Sequence, residues 1–184
     1  IEAILSEVMP GVRFVALGEL GDFPDPVEDG ADFYENALIK ARAAQEQTGL
    51  SMAVADDSGL CVDALNGAPG VYSARYGGPG LTDEERYQLL LENMRGQMPR
   101  TAKFVSVITC CFPNGDVLTA RGECPGTIAF VPMGNDGFGY NPVFFVPEKK
   151  KTFAQMTLEE RSSISHRGKA MREFYGKLEE YLKK

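Results

Sequence analysis

Positive charge is scarce in this sequence: Lys and Arg number 19 against 26 Asp and Glu, a formal net charge of −7. A nucleic-acid or anionic-membrane surface needs a broad basic face, so both are excluded as the chain's main partner. An anionic ligand would need a local positive pocket instead. Histidine occurs once, and Cys61, Cys110, Cys111 and Cys124 form no C-x-x-C pair, which excludes a conventional zinc site. The thiols read as reduced and buried, as in a cytosolic protein. Long apolar runs are also missing. Residues 104–112 fall well short of the roughly 20 that a membrane-spanning helix needs, and no signal-peptide pattern is visible.

What remains is a 184-residue chain with 43% hydrophobic residues, enough for one domain with a substantial core. Residues 50–55 read as a short buried strand that ends at Asp56 and Asp57, followed by Ser58 and Gly59. Paired carboxylates at a strand end would put hard oxygen ligands at a crevice, with a shared cation or proton relieving their repulsion. The same four residues are also good turn formers, so the stretch alone leaves a turn and a site both open.

Elsewhere, apolar residues at 1, 4, 5 and 8 have helical spacing, residues 12–17 read as a strand, and 22–30 as an acidic loop. Glu28 is by default a solvated loop acid. Asp32 with Glu35 and Thr82 with Glu85 are capping-box patterns opening helices, and Thr157-Leu158-Glu159-Glu160 opens a short helix reaching Arg161. Lys40 lies about a turn and a half into the first of these, on an exposed face unless a ligand reaches it. Tyr87, Leu90, Leu91 and Met94 form a stripe for core or dimer contact. The glycine-rich stretch around residues 71–76 could fold as a flap, though a plain loop explains its glycines as well.

Residues 102–120 predict a β-hairpin turning at 113–116, with further strands at 127–131 and 143–146. Between the last two, Gly137-Phe138-Gly139-Tyr140-Asn141 offers close backbone approach and aromatic faces for a base, or simply a tight loop. Ser165 caps a final helix with a stripe of Met171, Phe174, Tyr175, Leu178, Tyr181 and Leu182. His166, Arg167 and Lys169 crowd its first turn against the helix dipole, which makes sense if an anion binds there.

Three stretches together, Ala55-Asp56-Asp57-Ser58-Gly59-Leu60, Gly137-Phe138-Gly139-Tyr140 and Ser165-His166-Arg167-Gly168-Lys169-Ala170, resemble the non-canonical purine nucleoside triphosphate pyrophosphatases, the inosine triphosphatase family. Glu35-Asn36-Ala37 and Gly67-Ala68-Pro69-Gly70-Val71-Tyr72-Ser73-Ala74-Arg75-Tyr76 are similar to it as well. The resemblance implies an α/β fold with a long twisted mixed central sheet flanked by helices, two lobes with a nucleotide cleft, one domain over 1–184, and a homodimer. It implies Mg²⁺-dependent hydrolysis of ITP, dITP and XTP to the monophosphate and pyrophosphate. By position Asp57 resembles the proton-accepting acid and a metal ligand and Glu28 a second metal ligand, with Asp56 a supporting acid or alternative ligand. Ser58, Lys40, Phe138, Gly139, Tyr140, Asn141, Arg161, His166 and Arg167 are the implied substrate contacts. Asn141 stands where the family usually has Asp, and Arg161 where it usually has Lys, which changes charge at one contact and donor geometry at the other. The resemblance further implies a strand and a Ser/Thr-x-Asn-x-x-Lys phosphate loop ahead of Ile1. A related pyrophosphatase with another base preference, or a nucleotide-binding module without turnover, are the alternatives.

Overall fold

The computed structural model describes residue 11 and residues 13–184; the helix expected from the spacing at 1–8 lies outside them. The described sheet has five strands in the order β1 (Ala53–Val62), β2 (Thr101–Cys111), β3 (Val117–Ile128), β4 (Phe144–Val146) and β5 (Lys151–Thr152). Around them lie helices α1 (Leu17–Leu20), α2 (Phe33–Thr48), α3 (Asp83–Asn93), α4 (Leu158–Ile164) and α5 (His166–Leu182). The α/β class is as the resemblance implies, but the sheet is antiparallel rather than mixed. Neighbours in the sheet are neighbours in the chain, and β2–β3 and β4–β5 are joined by short turns that reverse direction, so no parallel crossover is needed.

The β2–β3 hairpin forms where expected. Phe112 N–H donates to Asp116 O at 2.9 Å, and Asn114 Oδ1 accepts from Asp116 N–H at 3.0 Å, closing the turn. The expected separate strands at 117–120 and 127–131 are instead the one strand β3, which continues through Pro125 and Gly126. Gly126 permits this because a Cβ there would come within 2.7 Å of Phe145 O on the neighbouring β4. Residues 13–16 carry no regular structure and 17–20 form α1, so the strand expected at 12–17 is not made. The glycine-bounded stretch at 71–76 is no flap: Gly70–Arg75 is a 3-10 helix, pinned where buried Ser73 Oγ accepts from Leu60 N–H at 2.8 Å.

The three expected helix starts are all built as capping residues dictate. Asp32 accepts from Glu35 N–H, while Thr82 and Thr157 complete full capping boxes with Glu85 and Glu160. Ser165 Oγ accepts from Gly168 N–H at 3.1 Å, opening α5. Such caps are each worth about 1 kcal/mol because they satisfy orphan N–H groups locally.

The chain divides into two compact units. The first takes residues up to 57, 106–122 and 169–184. Its core joins Ile108, Cys110, Phe112 and Ala120 of the hairpin to Ala170, Met171, Phe174 and Leu178 of α5, three of them from the expected stripe. Burial pushes the Cys110 thiol up to about 12, which keeps it protonated and inert. The second unit takes residues 58–105 and 123–168. Leu90 of α3 and Met94 at its C-cap are wholly buried there, and Phe104, Phe144 and Phe153 pack ring against ring with centroids 4.6, 4.9 and 5.6 Å apart.

Candidate active site

In the first unit, β1 brings Asp57 against α2. Asp56 and Asp57 do not sit where the strand leaves the sheet, nor in a turn: they lie in the middle of the ten-residue β1, which continues through Ser58-Gly59-Leu60-Cys61-Val62. Alternation along a strand sends consecutive side chains to opposite faces, so the two acids do not share an ion. Asp57 is the buried one, 7% exposed. Its acid partner is Glu28 from the acidic loop, and Lys40 links them, with Nζ 2.7 Å from Asp57 Oδ1 and 3.5 Å from Glu28 Oε2.

The position of Lys40 follows from α2. Ala37 and Ala41 on the buried face are small enough to let the helix approach closely, and Lys40 extends from between them to the carboxylates. Burial pushes the Asp57 carboxyl above its ordinary value of 3.8, the Lys40 hydrogen bond and charge pull it back, Glu28 raises it again and Asn36 lowers it. Asp57 Oδ2 is buried with no hydrogen-bond partner among the described residues. A buried carboxylate oxygen left open in this way is costly unless something cationic or a proton donor visits it.

That is also the test of whether a divalent cation fits. Among the described residues no three His, Cys, Asp or Glu side chains gather as a metal cluster. The donor set is two carboxylates, one with an open oxygen. That suits Mg²⁺, which commonly takes one or two carboxylates and fills its octahedron with water and phosphate oxygens.

The second unit holds a pocket of about 240 Å³. Ser58, Phe138, Gly139, Tyr140, Asn141, His166 and Arg167, seven of the expected contacts, all line it. His166 stacks on Phe104 at 4.7 Å and 12°, and Phe104 stacks in turn on Phe153, so the pocket has an aromatic floor. Phe138 is 66% exposed with the Arg167 guanidinium 5.6 Å above its ring. A planar, electron-rich ligand would find stacking faces and cations together here.

Several expected contacts prove to have internal duties. Gly139 N–H donates to Asp83 Oδ2 at 2.7 Å, and the Tyr140 hydroxyl, 67 residues from its partner, donates to Ser73 O at 2.8 Å. Arg161 does not line the pocket: its guanidinium donates to Phe153 O at 3.1 Å and stands 3.8 Å from Asp136. Gly137, at φ 89°, packs directly against Asn141 and Arg161, which leaves no room for a side chain. Lys40 and Glu28 belong to the acid group in the first unit, not to this pocket.

Sequence inspection missed Phe104, Asp83 and Arg86, which all line the pocket. Phe104 reads as one more apolar strand residue, and nothing local announces His166, 62 positions on, as its stacking partner. Asp83 reads as helix-start acid. In fact its Oδ1 binds Arg86 at 2.9 Å while its other oxygen holds Gly139.

The Ham1 family model matches residues 1–177. A dITP/XTP pyrophosphatase of Desulfotalea psychrophila is 47% identical over 172 residues, covering 94% of this chain and 77% of that protein. One from Thermus thermophilus is 54% identical over 150 residues, covering 80% and 71%. The structure of the Staphylococcus aureus Ham1 protein superposes with a TM-score of 0.90 at 38% identity, covering 98% of this chain and 93% of that one. The chain belongs to the Ham1 family, as the three motif stretches imply.

Proposed function

From this membership we propose that the protein hydrolyses non-canonical purine nucleoside triphosphates, ITP, dITP and XTP, to the monophosphate and pyrophosphate with Mg²⁺. The observation that carries the mechanism is Asp57: buried, salt-bridged through one oxygen and unpartnered at the other. The names of the 47% and 54% identical relatives support the substrate class.

Glu28 and Asp57 would hold the Mg²⁺, which when bound supplies positive charge on the triphosphate and lowers the pKa of nearby water. Asp57 takes the proton of the attacking water. The water oxygen bonds to the α-phosphorus, the bond from that phosphorus to the bridging oxygen breaks, and pyrophosphate departs with the electron pair. Burial that raises the Asp57 carboxyl suits it to this role, since a stronger base accepts the proton more readily. Lys40 holds the two carboxylates in register through its ammonium and is a further contact for phosphate oxygens.

In the pocket, Phe138 and the Phe104–His166 stack take the faces of the base. Asn141, His166 and Arg167 are the donors for a purine 6-oxo group, and donor facing donor would reject adenine. Gly139 and Tyr140 shape the pocket rather than read the base, because Gly139 N–H and the Tyr140 hydroxyl are already bonded to Asp83 and Ser73. Ser58 contributes a hydroxyl at the pocket wall, and Arg161 links Phe153 O to the Phe138 loop through Asp136. A homodimer in the cytoplasm completes the reading.

The test is pyrophosphate release from ITP, dITP, XTP, GTP and ATP, with Mg²⁺ and with EDTA. Release from the first three alone, abolished by EDTA, is expected. Equal turnover of ATP and GTP would overturn the base assignment, and absence of turnover on all five would overturn the activity.

A further inference from the structure

Asn36 has a side chain with no place in the mechanism so far, yet it is wholly buried within the first unit. It stands one helical turn before Lys40 on the same face of α2. Its Oδ1 accepts from Gly30 N–H at 2.9 Å. Gly30 is pressed so closely to this part of α2 that a Cβ would lie 2.7 Å from Asn36 Oδ1 and 2.7 Å from the Glu35 Cβ. The adjoining Ala31 N–H donates to Glu35 Oε2 at 2.7 Å. The acidic loop is therefore tied to α2 two residues after Glu28.

The other end of the same amide makes no hydrogen bond among the described residues. Asn36 Nδ2 and Asp57 Oδ2 are both buried, and both lack a hydrogen-bond partner among the described residues. Lys40 already occupies Asp57 Oδ1. Asn36 is among the groups that lower the Asp57 carboxyl, and its unengaged Nδ2 is a buried donor one turn from Lys40 on the same face of α2.

We propose that Asn36 is a positioning residue that couples the two acids, its carbonyl fixing the Glu28 loop and its amide setting the orientation of the Asp57 carboxylate. This rests on the reading of Glu28 and Asp57 as the metal-holding pair. Asparagine is suited to the task because one planar group offers an acceptor on one side and donors on the other. Ligand-orienting partners of this kind typically contribute 10–100-fold to metal affinity or activity.

Two substitutions separate the halves. Asn36→Asp keeps the oxygen for Gly30 and replaces the donor facing Asp57 with an acceptor; Asn36→Ala removes both. Three readouts apply to each: the exchange rate of the Gly30 amide by NMR, Mn²⁺ affinity by electron paramagnetic resonance on the protein alone, and kcat and KM for ITP at saturating Mg²⁺. Asn36→Asp is expected to leave Gly30 protected while lowering kcat by about ten-fold with KM little changed. Asn36→Ala is expected to expose Gly30 to exchange and to weaken Mn²⁺ binding by about ten-fold as well. Wild-type kcat in Asn36→Asp would overturn the orienting role, and a protected Gly30 with wild-type Mn²⁺ affinity in Asn36→Ala would overturn the coupling. If Asn36→Ala fails to fold, the near-isosteric Asn36→Asp still decides the orienting role. Should the unsubstituted protein release no pyrophosphate, the activity fails, while the exchange and Mn²⁺ measurements still test the coupling.

Discussion

The acid group of the first unit and the pocket of the second are built on opposite principles. Around Asp57, a buried carboxylate is set against two partly exposed charges, and the arrangement stays under electrostatic tension: burial and Glu28 push the carboxyl up, while Lys40 and Asn36 pull it down. In the pocket, rings are stacked and the polar atoms of the loop, Gly139 N–H and the Tyr140 hydroxyl, are already satisfied. The first region stores an unmet demand for a cation or a proton. The second is a stacked aromatic shape whose loop donors are satisfied, with Arg86 Nε at its wall lacking a hydrogen-bond partner among the described residues.

The largest expected effect breaks the tension directly. Asp57→Asn should lower kcat on ITP by about 10³-fold, within the range lost with a general base, while leaving KM close to normal. It should not destabilise the fold. Because the folded-state carboxyl is held above 3.8, the native state binds its proton more tightly than the unfolded chain does. The stability contributed by that proton is present below 3.8 and is lost as pH rises through the folded value. Thermal melts in metal-free buffer should therefore show Asp57→Asn at least as stable as the unsubstituted protein at neutral pH, and less responsive to acid. A large drop in melting temperature at pH 7 would mean that the ionised carboxylate stabilises the fold after all.

In the pocket the corresponding change should act on binding rather than on chemistry. Phe138→Ala removes a stacking face worth about 1–3 kcal/mol, so KM for ITP should rise by roughly ten-fold or more with kcat retained. Steady-state kinetics of both variants side by side would sharpen the contrast, and a kcat loss in Phe138→Ala would blur it.

The smallest effect concerns the support of that face. Asp83→Ala frees Gly139 N–H and Arg86, and one ordinary hydrogen bond is worth about 0.5–1.5 kcal/mol, so KM should rise several-fold. Asp83→Asn keeps an acceptor for Gly139 and should recover most of the loss. Equal KM values for the two variants would show that the carboxylate does not hold the loop.

Legibility followed the range of each interaction. Helix starts at Asp32, Thr82 and Thr157 were readable because cap and capped N–H lie three residues apart. The β2–β3 hairpin was readable because its turn residues carry their own conformational preference. The strand carrying Asp56 and Asp57 was placed too early, since acids and a glycine look like a strand's end until Lys40, 17 residues back, compensates the buried one. Six site residues named from the three motif stretches, and Asn141 next to the second of them, line one pocket. Phe104 and Asp83 were not legible as site residues because each looks ordinary beside its chain neighbours.

By itself the sequence determined the α/β class, the caps, the stripes and, through its motifs, the family. Those properties depend on periodicity, on short-range hydrogen bonding and on ordered residue patterns, all of which are written along the chain. Only the tertiary structure decided that Asp57 rather than Asp56 is buried, that Lys40 joins Asp57 to Glu28, and that Arg161 bonds to Phe153 O instead of lining the pocket. Burial and charge pairing depend on what the rest of the chain brings near, and that is fixed by packing rather than by any local stretch.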